Sequence, residues 1–241
     1  MPDNHYENPK LAAIYDSDSG WSVDRDFYLA LAGEPPQKIL DLGCGTGLLC
    51  DAYAALGHDV TGVDPAAAML EVARSKPHGD KIQWIQSFAQ TFNSDGSFDL
   101  IIMTGHAFQV LVEDAHIHDV FSVIRKHLKS DGRFVFESRN PFIDWASQWN
   151  YSMNLQLPGQ TVRESRKFLS LKNGRMQFEL KYEFPDETLL STSELRFSNA
   201  SEIENQLNSA GLKVHSLLGD WDGAAFNESI SEEMIFVVKL E

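Results

Sequence analysis

The chain has 241 residues, with 35 acidic against 20 basic side chains and a formal charge of −15. That length carries one full hydrophobic core with an elaboration, and an acidic excess with no compensating basic run excludes a nucleic-acid backbone as partner. No apolar stretch nears the ~18 residues of a membrane span, and the polar start, Met1–Lys10, lacks a signal-peptide core, so the expectation is a soluble, cytoplasmic protein whose partner is a small molecule, neutral or cationic.

Ala12–Tyr15 and Val23–Ala32 read as short helices, separated by Pro35-Pro36 from a first strand, Lys38–Leu42. Strand and helix signals then alternate. A helix over Leu48–Leu56 stops at Gly57, a residue that closes helices in the left-handed conformation. Strand Asp59–Val63 follows, and Pro65 opens a helix over Ala66–Ser75. Lys81–Gln86 and Phe98–Met103 are the third and fourth strands. In Glu113–Lys129, the residues Ile117, Val120, Phe121, Ile124 and Leu128 share one helical face. Asp131-Gly132 turns into a fifth strand, Arg133–Glu137. Continuous apolar strands alternating with helices predict a mostly parallel sheet covered on both faces.

The period then changes. Met176, Phe178, Leu180, Tyr182 and Phe184 alternate with polar residues, the pattern of an antiparallel strand buried on one face. Asn173-Gly174 is a type I′ hairpin signal that pairs this strand with Val162–Leu171. Thr188–Phe197 is a third strand. A helix over Ala200–Ala210, capped by Ser198 or Asn199 and ended by Gly211, returns to the core. Lys213–Leu217 and Met234–Leu240 supply the last two strands. The expected organisation is one domain: a helical lid over 1–35, a core over 36–153 and 198–241, and an antiparallel insert over 154–197 above the active site.

The chemistry concentrates at Ile39–Gly47, Ile-Leu-Asp-Leu-Gly-Cys-Gly-Thr-Gly. A buried strand ends in an acid, Asp41, and is followed by Gly43, Gly45 and Gly47, which let the backbone take positive φ and let a ligand approach the amides. The helix start behind them offers unpaired N–H groups. Asp64 closes the next strand, where a carboxylate can hold both hydroxyls of a ribose. The glycine spacing is tighter than the dinucleotide fingerprint, and Asp41 would repel a pyrophosphate while suiting a cationic ligand.

Asp41-Leu42-Gly43-Cys44-Gly45-Thr46-Gly47, with Val63-Asp64-Pro65, closely resembles the cofactor loop of the class I S-adenosylmethionine-dependent methyltransferases. The resemblance extends over about 37–140 and 198–241. It implies a Rossmann-like seven-stranded sheet whose last strand is antiparallel, S-adenosylmethionine as cofactor and S-adenosylhomocysteine as product. The insert and the Ala13–Asp16 segment look like those of small-molecule methyltransferases, including the sugar amino-methylating subgroup.

By that resemblance the three glycines line the methionine moiety, Asp41 orients its ammonium, Asp64 takes the ribose and Met69 packs nearby. Phe88-Ala89 stands where many members carry an Asp-Ala pair at the adenine edge, so stacking or a backbone contact is expected there. Backbone at Thr104 and Gly105 lies near the methionine part. Tyr15, with Trp21, closes as a lid.

His106 is the candidate base, since imidazole exchanges protons near neutral pH. Glu137, Arg139 and Asn140, at the carboxyl edge of the sheet, and Trp221 are candidate substrate contacts. No metal site is expected: His116 and His118 point to opposite sides of their helix, and nothing pairs Cys44 with Cys50 as ligands. The function expected is methyl transfer to an O, N or C atom of a small molecule, the alternative being a non-catalytic binding module, a sensor or partner subunit.

Overall fold

A computed structural model describes residues 4–241; the first three residues of the expected lid lie outside the described residues. Helices α1 (Asn4–Glu7), α2 (Pro9–Asp18) and α3 (Val23–Leu31) precede the core. Asn8 caps α2, its side-chain oxygen accepting from the Lys10 amide at 2.9 Å, and Pro9 occupies the first turn, where no N–H is needed. This helix is therefore longer than its short apolar pattern suggested.

The core then runs β1 (Lys38–Leu42), α4 (Leu48–Ala55), β2 (Asp59–Asp64), α5 (Ala67–Arg74), β3 (Gln83–Gln86), β4 (Phe98–Met103), α6 (Asp114–His127) and β5 (Leu128–Arg139). After α7 (Trp145–Gln148) come β6 (Tyr151–Leu157), β7 (Gln160–Lys172), β8 (Arg175–Glu183) and β9 (Thr188–Arg196). Helix α8 (Ala200–Ser209) and strands β10 (Leu212–Leu218) and β11 (Glu233–Leu240) complete the chain.

Seven strands form one sheet in the order β10-β11-β5-β4-β1-β2-β3. Strands β1 to β5 pair in parallel, and β11 lies antiparallel between β5 and β10. Both faces are covered. Phe121, Phe134, Phe136 and Phe236 pack on one side with α6 and α8, and Tyr28, Tyr53, Leu49 and Ile102 on the other with α3 and α4. The fifth strand begins earlier than expected. Asp131-Gly132 does not end an element but sits in an irregular stretch of β5, where Gly132 packs so closely on Phe98 and Asp99 carbonyls that a Cβ would clash.

A second, antiparallel sheet follows the order β6-β7-β8-β9. Asn173 and Gly174 both take positive φ, 52° and 70°, as a type I′ turn requires. Met176, Phe178, Leu180 and Tyr182 face inward, alternating with more exposed residues. The edge strand β6 was not foreseen, although Tyr151, Met153, Leu155 and Leu157 alternate with Ser152, Asn154 and Gln156; of its seven residues only Leu155 is buried. Helix α2 ties the two sheets together. Leu11 and Ile14 enter the core of the small sheet, while Ala12 packs against Ala66, Ala68 and Met69 beside α5.

Candidate functional site

Strands β1, β2, β4 and β5 end on one edge of the large sheet, and the residues just past those ends form the site. Gly43, Gly45 and Gly47 all take positive φ, between 53° and 81°. The Gly43 and Cys44 amides donate to the Val63 carbonyl, at 2.7 and 3.1 Å, folding the loop over the end of β2. Asp64 then locks it. Its carboxylate accepts from the Gly45 amide at 2.9 Å and from the Ala66 amide at 2.8 Å. Burial raises the Asp64 carboxyl above the ordinary value, against these two amides.

Asp41 lies beneath the loop, 2 % exposed. One of its oxygens accepts from the Cys50 thiol at 3.4 Å and the other has no partner. Burial pushes its carboxyl up to about 7, which marks a site where an added cation would be stabilised. The same burial pushes the Cys44 thiol up to about 11, and both cysteines are free.

A cavity of about 380 Å³ opens above this loop. Gly43, Gly45, Asp64, Met69, Phe88, Ala89, Thr104, Gly105 and Tyr15 line it, so nine of the expected cofactor contacts converge on one space. Gly45 and Gly105 have nothing within 4 Å of where a Cβ would stand, and side chains there would fill the cavity. Gly47 does something else. It faces away, and a Cβ would collide with Trp84 and crowd Ala73, so its role is packing of α4 on β3 and α5. Asp41 underlies the cavity without lining it. Sequence reasoning missed Tyr6, Gln90 and the Val110–Val112 segment, which line it too; only Gln90, two residues after Phe88, carried any local signal.

A second cavity of about 470 Å³ adjoins the first, and Tyr6, Tyr15, Gly105 and Val110 line both. His106 and Arg139 face this space, under a roof of Trp149, Phe178, Leu180 and Leu195. His106 is held in the left-handed region, φ 59°, because its amide donates to Glu137 at 2.6 Å. Its Nε2 lies 2.9 and 3.0 Å from the two Glu233 carboxylate oxygens. Burial would raise the Glu233 carboxyl, but the hydrogen bond and charge of His106, with the charge of Arg139, outweigh it and hold the group below the ordinary value. Glu233, at the start of β11 and 127 residues away, was not foreseen because only sheet pairing brings it here.

Three substrate candidates line neither cavity. Glu137 is buried and accepts from the Tyr28 hydroxyl and the His106 amide, so it shapes the loop under His106. Asn140 is fully buried, and its amide donates to the Glu228 and Ser231 carbonyls at 2.8 Å, pinning a turn. Trp221 packs edge-on against Phe27. Trp21 borders the second cavity, 46 % exposed, with its Nε1 donating to Asp26 at 2.7 Å. His116 stands at the rim of the first.

Residues 39–132 match the protein family described as "Methyltransferase domain". A protein of Geobacillus sp. (strain WCH70), provisionally named a methyltransferase, is 28 % identical over 220 residues, 84 % of each chain. The ubiquinone biosynthesis O-methyltransferase of Rickettsia conorii (strain ATCC VR-613 / Malish 7) is 30 % identical over 105 residues, 43 % of this chain and 35 % of its own length. Among solved structures, the CcbJ methyltransferase from Streptomyces caelestis superimposes with TM-score 0.80 at 20 % identity, covering 100 % of this chain and 99 % of its own. CalS10, a SAM-bound amino pentose methyltransferase from Micromonospora echinaspora, gives 0.71 at 21 %, covering 95 % of each chain. At such identities the likeness to solved structures is one of fold.

Proposed function

We propose that this chain, whose residues 39–132 match the family described as "Methyltransferase domain", is a class I S-adenosylmethionine-dependent methyltransferase that methylates a small-molecule acceptor bound in the second cavity. The observation that carries this reading is the pair of adjoining cavities. One is built on the glycine loop and Asp64, the other holds His106, and Gly105 and Tyr15 form part of the wall of each. A binding-only module has no need of the second space, which favours turnover. The insert and the lid, helices α1 to α3, roof that space.

The residues present fit the cofactor. The unpartnered oxygen of Asp41 suits an ammonium, and the open positions at Gly45 and Gly105 leave room for a ligand against the backbone. Asp64 would take the ribose hydroxyls, Met69, Phe88 and Ala89 the adenine, and Thr104 and Gly105 the methionine end. When bound, S-adenosylmethionine supplies a methyl carbon whose bond to the sulfonium breaks with its electron pair going to sulfur, leaving S-adenosylhomocysteine. The chain's own task is to hold the acceptor in line with that carbon and to keep water out. Tyr6 and Tyr15 cover the junction. His106, oriented by Glu233, takes the acceptor's proton as its lone pair becomes the new bond.

Calorimetry with both forms of the cofactor, on wild type and Asp64→Ala, tests the site. Micromolar binding to wild type, weakened at least about 30-fold in the variant, is expected for loss of a charge-assisted bidentate contact. Transfer of a labelled methyl group to a cell-extract component is the accompanying assay. Absence of binding to wild type would overturn the reading.

A further inference from the structure

The second cavity is lined by two carboxylates and three guanidinium groups: Asp18, Asp24, Arg25, Arg139 and Arg166. Arg25 lies 3.7 Å from Asp24. Arg166 lies 3.0 Å from Glu164 and 3.9 Å from Asp18. Among the described residues, Arg139 alone of the five has no counter-ion within 4.0 Å. The nearby Glu233 is engaged with both oxygens on His106.

What Arg139 does have is a rigid mount. Gln109 Oε1 accepts from its NH1 at 3.0 Å, and Gln109 is itself fully buried, donating to the Arg196 carbonyl at 3.0 Å. The guanidinium carbon sits 4.8 Å from the Trp149 ring centroid and 5.5 Å from that of Trp145. Burial lowers its pKa to about 10, so it stays charged at neutral pH. The Glu233 and Glu137 carboxylates favour this cation only from beyond ion-pair distance, so a contact position for an anion stays open.

We propose that the methyl acceptor is a carboxylic acid, its carboxylate held by Arg139, its body against Trp149, Phe178 and Leu180, and its nucleophilic atom toward His106 and Gly105. This rests on the methyltransferase reading and adds the acceptor's class. A single guanidinium matches one planar monoanion through two parallel N–H donors. Gly105 borders the cofactor cavity and Arg139 does not, so the carboxylate is the anchor and another atom receives the methyl group. The local field of the cavity thus reverses the neutral or cationic acceptor that net charge alone suggests.

The test titrates phenylacetate and 3-phenylpropionate, and their primary amides, into protein saturated with S-adenosylhomocysteine, followed by ligand-observed NMR. Each acid should bind at least about tenfold more tightly than its amide. Arg139→Gln should erase that ratio, Arg139→Lys should keep part of it, and both should bind S-adenosylhomocysteine as wild type does. Equal binding of acid and amide to wild type, no binding of either acid, or an unchanged ratio in Arg139→Gln overturns the carboxylate proposal. Failure of wild type to bind S-adenosylhomocysteine instead sinks the methyltransferase reading beneath it.

Discussion

Asp41 is buried with one oxygen unpartnered. Its carboxyl is raised from the ordinary 3.8 to about 7, chiefly by burial. Below about pH 4 the group is protonated whether the chain is folded or not. Between about pH 4 and 7 the native state holds a proton that the unfolded chain has released. Stability therefore falls as pH rises through that window, by at most ~4 kcal/mol. Urea unfolding of the ligand-free protein from pH 4 to 8 should show a steeper loss for wild type than for Asp41→Asn. Parallel curves would refute the assignment. On the function proposed above, a ligand ammonium drawn toward this carboxylate would relieve that cost. Gly47 shows the opposite economy, since its missing Cβ serves Trp84 rather than a ligand.

Elements reach their positions through local chemistry that the pattern of residues makes plain. Helix α8 begins with a capping box: the Glu202 amide donates to the Asn199 side chain at 2.9 Å, and the Asn199 amide donates back to the Glu202 carboxylate at 2.9 Å. Ile203 and Leu207 then fall on the buried face. Asn199→Ala should lower unfolding stability by about 1 kcal/mol, read from the urea midpoint, without changing cofactor affinity. The turn at Asn173-Gly174 and the alternation of β8 were legible for the same reason, because a residue's own backbone preference and its period are local properties. Strand β6 was not expected, although Tyr151, Met153, Leu155 and Leu157 alternate with polar residues in the same way, and at the exposed edge only Leu155 is buried. Nor was the real extent of α2, whose hydrophobic residues serve two different cores.

At the scale of the molecule, α2 is the member that connects roof, loop and core. Beyond its apolar contacts, Asp16 accepts from Thr46 in the glycine loop and pairs with Lys76 just after α5. Tyr15, from the same helix, borders both cavities. A ligand filling the first cavity adds contacts to this helix in the folded state only, which lowers the population of locally opened forms. Hydrogen exchange should therefore slow across residues 9–18 when S-adenosylhomocysteine binds, by more than in α8, which touches neither cavity. Equal protection in both helices would argue that α2 is no lid. Among the described residues no helix is long and apolar enough to cross a membrane.

The sequence by itself determined the alternating core, the hairpin of the insert and the cofactor loop with its Asp64. Each of these is written in contiguous residues whose spacing and conformational preference carry the signal. Only the tertiary structure decided the acceptor side. Glu233 meets His106 across 127 residues, and Arg139 is a cation with no ion-pair contact, held by Gln109 and two tryptophans. It also withdrew Glu137, Asn140 and Trp221 from the cavity, since whether a polar residue at a strand end faces a ligand or pins a turn depends on which distant backbone groups need a partner.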